Sequence, residues 1–462
     1  MFTKYRYIVF VFTILFFTNC KKFLQIDPPN NQLISSTVFT NNATATSAIS
    51  GLYSKMIDGA GFSSGGLGSI IHLGGLSADE FINYTALSDY APFYVNSVTP
   101  TNIPLLSNLW GQPYNYIYQA NSILEGLDNS KGVSTAVKNQ ISGEGKFIRA
   151  FCYFYLVNMF GDVPLVTSTN YQINAILSRT PKSQVYQQII TDLKDAQTLL
   201  TDNYISGSER VRPNKSAATA LLARVYLYVG DYVNAELQAT TVVNNTAQYS
   251  LLSNLNSVFL KNSSEAIWQL KPVTTNTNTK EGSLFIITAV PSYVTLSNQL
   301  YNSFELGDNR KTSWTHDTTI LSNLYHYAFK YKIKANPILS EYSMILRLAE
   351  QYLIRAEARV QQNNIPGAQS DLNVIRNRAG LANTTANTQS ALLDAILHER
   401  QVELFTEWAH RWLDLKRMEK IDAVMSTVTI QKGGTWNTNQ QLYPIPQSEI
   451  DKNSGLSQNA GY

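Results

Sequence analysis

Three side chains invite a chemical reading first. Glu403, Glu407 and His410 stand at i, i+4 and i+7, so one helix face could offer them to a metal. Glu399, Arg400 and Arg411 share the stretch, and the preferred reading is a satisfied polar network at a helix junction, with no metal. Asp79-Glu80 is a candidate carboxylate pair for glycoside cleavage. Such carboxylates must face each other across the substrate at about 5–10 Å, and neighbours on a loop point apart unless the backbone turns. Gly59-Ala60-Gly61-Phe62-Ser63-Ser64-Gly65-Gly66-Leu67-Gly68 tempts with a phosphate-cradling loop but lacks its lysine and Ser/Thr. It is expected to be a flexible surface loop. His316 and His326 fall in a loop with no acidic pair or cysteine nearby. No Gly-x-Ser-x-Gly elbow or zinc-ligand helix motif occurs. No catalytic residue, metal ligand or cofactor is assigned, and nothing here calls for an enzyme.

Binding chemistry has better material. The chain holds 27 tyrosines against 5 histidines, a balance that suits ring stacking and hydrogen bonding over acid–base or metal work. Tyr84, Tyr90, Phe93 and Tyr94 crowd a polar, irregular stretch ending near Pro104. Aromatics outside any periodic pattern are either satellite core under a loop or a ligand platform. Formal net charge is +3, and removing Lys4 and Arg6 with a leader lowers 36 basic residues to 34, against 33 acidic ones. Near-neutrality argues against nucleic acid, which needs concentrated positive charge.

The elements that must position these residues are mostly helices. Apolar periodicity predicts them over Asn42–Asp58, Trp110–Asp128, Gly143–Phe160 and Pro181–Leu200. In Gly143–Phe160, Cys152 reads as a buried small hydrophobe. Two stretches look like copies of one helix-pair unit of tetratricopeptide type. In the first, Ala223 precedes Gly230-Asp231-Tyr232 and Ala235; in the second, Ala356 precedes Asn363-Asn364-Ile365-Pro366-Gly367 and Ala368. Gly380 sits where a left-handed cap is expected. A further helix starts near Leu392, carries Glu399–Leu404 and runs on into Trp408–Arg417. From Tyr249 to Asn336 helical periodicity fades, and Ala266–Leu270 is strand-like. These patterns predict a mainly α architecture with a curved stack of helix pairs, few short strands and a loop-rich face.

At the start, Lys4 and Arg6 precede an apolar run from Tyr7 to Phe17, then Thr18-Asn19-Cys20. This reads as a secretory leader over residues 1–19 with Cys20 as the lipidated first residue, although Asn19 departs from the usual small residue. Residues 20–33 then form a tether in which Pro28-Pro29 prevents helix.

Several strings carry a family resemblance. Leu346-Arg347-Leu348-Ala349-Glu350-Gln351-Tyr352-Leu353-Ile354-Arg355-Ala356-Glu357-Ala358, Glu399-Arg400-Gln401-Val402-Glu403-Leu404 and His410-Arg411-Trp412-Leu413-Asp414-Leu415 resemble the C-terminal signatures of the SusD/RagB family. Arg149 through Leu156 with Gly161-Asp162-Val163-Pro164 resembles its N-terminal signature, and Ser77-Ala78-Asp79-Glu80 a short acidic motif. Gly307-Asp308-Asn309-Arg310-Lys311 resembles its Asp-x-Arg segment. The resemblance reaches from Cys20 to Tyr462. It implies a SusD-like fold, with an N-terminal region over 34–245 and a RagB/SusD C-terminal region over 246–462. It also implies a surface-exposed lipoprotein of the outer membrane. Such a protein captures a glycan, either an oligosaccharide or a polysaccharide, and hands it to a SusC-like TonB-dependent transporter. A peptide-binding member of the family and a helix-repeat scaffold without its own ligand remain as alternatives. The family places ligands on variable loops. Aromatic and amide density there makes Tyr84, Tyr90, Tyr94, Trp314 and Tyr325 candidate ring contacts, with Asp79, Asn83, Asn96 and Asn323 as polar partners. Core packing beside the Asp-x-Arg segment is the competing reading of Trp314.

Overall fold

The computed structural model describes residues 38–59, 61–275 and 277–462. The expected leader, Cys20 and the tether through Leu33 lie outside the described residues. Helices dominate, with three two-stranded sheets between them. In chain order, α1 (Asn42–Ile57) and α2 (Ile70–Ser77) lead to β1 (Phe81–Asn83), then α3 (Gln112–Asp128) and α4 (Thr135–Phe160). Next come α5 (Lys182–Leu199), α6 (Lys215–Val229), α7 (Tyr232–Val243), β2 (Ala266–Leu270) and β3 (Val294–Leu296). After β4 (Thr315–Ile320), β5 (Asn323–Ala328) and β6 (Ser343–Arg347) come α8 (Leu348–Gln361), α9 (Ile365–Arg378), α10 (Gln389–Leu404), α11 (His410–Arg417) and α12 (Ile421–Gln431), and a short helix Gln447–Lys452 follows near the C-terminus. No helix among the described residues is long and apolar enough to cross a membrane.

Helix α4 is the central rod. It is apolar on every side from Phe147 to Phe160, so it is buried on every side, Cys152 included. It begins at Thr135, earlier than the apolar pattern indicated, because Gln140, Ile141 and Glu144 also turn inward. Gly161 ends it with φ +75°, a conformation that costs a glycine little. The two expected helix pairs are present. Gly230 turns α6 into α7 with φ +77°. Asn364 caps α9 by accepting the Gly367 N–H at 3.0 Å. Ala349, Ala356 and Ala368 are fully buried between α8 and its neighbours, so the axes come close. An ion pair locks the two pairs together, with Arg359 Nε 2.8 Å from Glu236 Oε1, and Arg355, 2.6 Å from Asp371, ties α8 to α9 within the second pair.

Two sequence expectations change. The glycine-rich stretch is not a surface loop, since Gly61 through Gly66 are buried. Phe62 enters a ring cluster with Phe151, Tyr155 and Trp408. Gly65 holds φ +75°, and a Cβ there would sit 2.1 Å from the Glu281 carboxyl carbon. The glycines let the backbone approach a buried acid rather than a phosphate. The second change is a break between α10 and α11. Thr406, Trp408 and Ala409 take φ of 54°, 45° and 56°. Such non-glycine conformations are costly and persist only where surroundings impose them. Trp408 Nε1 donates to Met344 O at 2.8 Å, and Thr406 N donates to Glu80 Oε1 at 3.1 Å. Glu403, Glu407 and His410 therefore do not share one helix face.

Candidate functional site

The residues that looked chemical are spent on cohesion. Glu403 accepts from Arg347 at 2.6 Å, from Arg310 at 3.0 Å and from Arg378. Against the upward push of burial, these three arginines hold its carboxyl well below the usual range. Glu407 pairs with Lys330 at 2.5 Å and Arg347 at 2.8 Å. Burial, then the charges of Arg224 and Arg400, hold His410 well below an ordinary histidine, so it is neutral. Glu399 meets Arg310 at 2.6 Å. Each acid is matched by cations from another element, which ties the C-terminal helices to the β5–β6 region.

Asp79 and Glu80 do not face each other across a cleft. Asp79 is buried and receives both arms of the Arg411 guanidinium at 2.8 and 2.7 Å. Burial pushes Glu80 up to about 8, so it is largely neutral at physiological pH. The histidine reading also changes. Cross-strand pairing sets Asp317 opposite His326, and His326 Nδ1 lies 2.8 Å from Asp317 Oδ1. Tyr301 stacks on that imidazole at 3.5 Å and donates to Asp317 Oδ2 at 2.7 Å.

The proposed ligand residues divide into two groups. Trp314 is fully buried and its indole donates to Leu255 O at 3.0 Å, so core packing was the right one of its two readings. Asn96 is buried, donating to Ser77 O and accepting from the Thr429 hydroxyl. With Asp79, these two are turned inward and satisfied, and a ligand cannot reach them. The others gather where β1 pairs antiparallel with β3 beside the β4–β5 hairpin. Tyr84 follows β1, and its N–H donates to Tyr293 O at 2.7 Å. Asn323 and Tyr325, two apart on β5, share one face of the hairpin. Tyr325 meets Tyr84 edge to face, with ring centroids 5.9 Å apart. Tyr84 is 37% exposed and Tyr293 41% exposed, an unusual investment for rings that could bury. Asn83 is half-buried, and its side-chain oxygen accepts from Thr85 N. Tyr90 and Tyr94 are half-buried close to this group. Tyr90 packs 5.7 Å from His72, and the Lys432 ammonium lies 4.9 Å over Tyr94. Burial, then Asp89 and Tyr293, raise the Tyr90 hydroxyl, and burial, then Tyr84, raise that of Tyr94. Tyr90 and Tyr94 therefore remain protonated donors near neutrality.

Tyr293 is the contact that sequence reasoning missed. It is isolated in Pro291-Ser292-Tyr293, and only the pairing of Asn83 with Val294 brings it beside Tyr84. Its place directly before the apolar run Val294–Leu296 was the available signal.

Comparison with known proteins adds a family context. A family model described as "Starch-binding associating with outer membrane" matches residues 77–227, and one described as "SusD family" matches residues 239–462. A SusD-like protein of Formosa agariphila is 28% identical over 78% of this chain and 81% of its own length. A SusD superfamily protein of Bacteroides vulgatus covers 92% of this chain and 100% of its own, with TM-score 0.80 at 21% identity. A structure described as a laminarin-binding SusD-like protein has the same coverage, with TM-score 0.76 at 23% identity. At such identities these two structures speak for a shared fold.

Proposed function

Because this chain belongs to the SusD/RagB family, we propose that it binds a glycan at the bacterial outer-membrane surface and passes it to a SusC-like TonB-dependent transporter. Lipidation of Cys20 would anchor it there. The observation that carries the reading is the edge-to-face pair of exposed Tyr84 and half-buried Tyr325, with exposed Tyr293 alongside and the amides of Asn83 and Asn323 at hand. A pyranose presents an apolar C–H face and a rim of hydroxyls. Tyrosine rings cover the face, while amides and phenols serve the rim. The contact set becomes Asn83, Tyr84, Tyr90, Tyr94, Tyr293, Asn323 and Tyr325, without Asp79, Asn96 and Trp314. The mechanism is capture and release, not bond cleavage. Glu403, Glu407 and Asp79 are buried and ion-paired, which leaves none of them free to move a proton to a substrate.

The laminarin-binding neighbour makes a β-glucan the first ligand to try. Calorimetric titration with laminarin, soluble starch and a peptide mixture tests the proposal. Saturable heat with a glycan and no shortened product is expected. Heat with peptides alone, or release of shorter sugars, would overturn it.

A further inference from the structure

Behind the tyrosine face, the β4–β5 hairpin carries a second side-chain cluster. Cross-strand pairing puts Asp317 and His326 on one side of the hairpin, while Thr318, Ile320, Asn323 and Tyr325 share the other. Tyr301 lies on the short helix Asn298–Ser303. Its ring stacks on the His326 imidazole, 3.5 Å away and 11° from parallel, and its hydroxyl donates to Asp317 Oδ2 at 2.7 Å. His326 Nδ1 lies 2.8 Å from the other carboxylate oxygen, and the Lys311 ammonium 4.1 Å from the Tyr301 ring. Burial, then Asp317, pushes the phenol up to about 12, so it stays a donor. Against burial, hydrogen bonds from His326 and Tyr301 hold the Asp317 carboxyl below its usual range, so it stays an acceptor.

This cluster joins two parts of the molecule that carry different halves of the tyrosine face. Tyr301 follows Tyr293 by eight residues. Between them β3 pairs with β1, the Ser297 N–H donates to Glu80 O at 2.8 Å, and the Ser297 hydroxyl donates to Asp79 O at 2.6 Å. Leu300 is fully buried. Tyr84, Tyr293 and Tyr301 therefore ride on one anchored body. Asn323 and Tyr325 ride on the hairpin, whose base is fixed because Trp314 and Ala328 are buried and Phe329 N donates to Trp314 O at 2.7 Å. Its outer half has less to hold it. A lone two-stranded hairpin is marginal in water. This one turns at Leu321 and Ser322 with φ of 50° and 67°, where Asn-Gly is the favoured pair. Leu321 and Leu324 near the tip are exposed. Among the described residues, the Tyr301 hydroxyl makes the one side-chain hydrogen bond from the 293–303 run to the hairpin.

On the glycan reading of that face, on which this rests, we propose that Tyr301, Asp317 and His326 are positioning residues for the ligand, acting through the hairpin to set the gap between Tyr325 and the Tyr84–Tyr293 pair. Affinity electrophoresis in laminarin and starch gels, with amide hydrogen exchange over residues 315–328 of the ligand-free protein, tests it. Tyr301→Phe keeps the stacked ring and loses the hydroxyl. It should weaken binding of the glycan that retards the wild type about fivefold, speed exchange across the hairpin and leave the melting temperature unchanged. Asp317→Ala should weaken binding at least as much. The double variant should lose no more than Asp317→Ala alone, because the two changes break a shared bond. Asp317→Asn keeps an acceptor oxygen and should restore most of the affinity. Wild-type affinity in both Tyr301→Phe and Asp317→Ala would overturn the proposal, as would a loss that only tracks a lowered melting temperature. Should neither glycan retard the wild type, the glycan reading falls and exchange alone decides the clamp. Faster exchange in Tyr301→Phe, confined to the hairpin, would uphold it, and unchanged exchange would overturn it.

Discussion

At the residue scale, charges that resemble catalytic groups serve the interior. The same side chain reads as acid catalyst or as rivet according to what opposes it. Asp79 faces Arg411 and stays ionised, whereas Glu80, one residue on, accepts a backbone N–H from Thr406 and is pushed up to about 8 by burial. The sign of the resulting pH dependence follows from linkage. A carboxyl whose folded pKa lies above its unfolded value favours the folded state below about 4.5 and loses that contribution as pH rises through about 8. Glu80→Gln keeps an oxygen for the Thr406 N–H and removes the ionisation. Its melting temperature should therefore exceed the wild-type value more at alkaline pH than at mildly acidic pH. Equal differences at both pH values, measured by scanning calorimetry, would show that Glu80 does not titrate in this window.

At the element scale, what was legible in the sequence was whatever repeats locally. The alanine spacing in α6–α7 and α8–α9, the strand Ala266–Leu270 and the stop at Gly161 all follow from short-range pattern and backbone preference. The break between α10 and α11 was not legible, because its cause is tertiary. Helix propensity continues through Glu407, but Trp408 is drawn to Met344 O and Ala409 is pressed against Gly74 in α2. A Cβ at Gly74 would fall 2.3 Å from the Ala409 Cβ. Gly74→Ala should destabilise by about 1–3 kcal/mol through overpacking. Ala409→Gly removes the opposing methyl and relieves a left-handed alanine, so the double variant should recover most of that loss in urea denaturation. Additive losses would mean that the two backbones do not meet as described.

At the scale of the whole molecule, the helices form a rigid, charge-stitched body and the short strands present a face. Six of the seven residues proposed for that face came from the sequence. Asn83, Tyr84, Tyr90, Tyr94, Asn323 and Tyr325 stood out because they are ring and amide side chains outside any helical period. Trp314 and Asn96 stood out for the same reason yet are buried, since composition cannot tell a loop that covers the core from one that faces solvent. Tyr293 stayed hidden because its neighbour Tyr84 is 209 positions away in the sequence and is reached only through the β1–β3 pairing. The measurement that tests the account most directly is affinity electrophoresis in laminarin and starch gels, comparing the wild type with Tyr84→Ala/Tyr293→Ala/Tyr325→Ala. These rings are partly exposed, so folding should be nearly unaffected. The account expects one glycan to retard the wild type and leave the triple variant running as in a plain gel, with matching melting temperatures. Equal retardation of both proteins would contradict it.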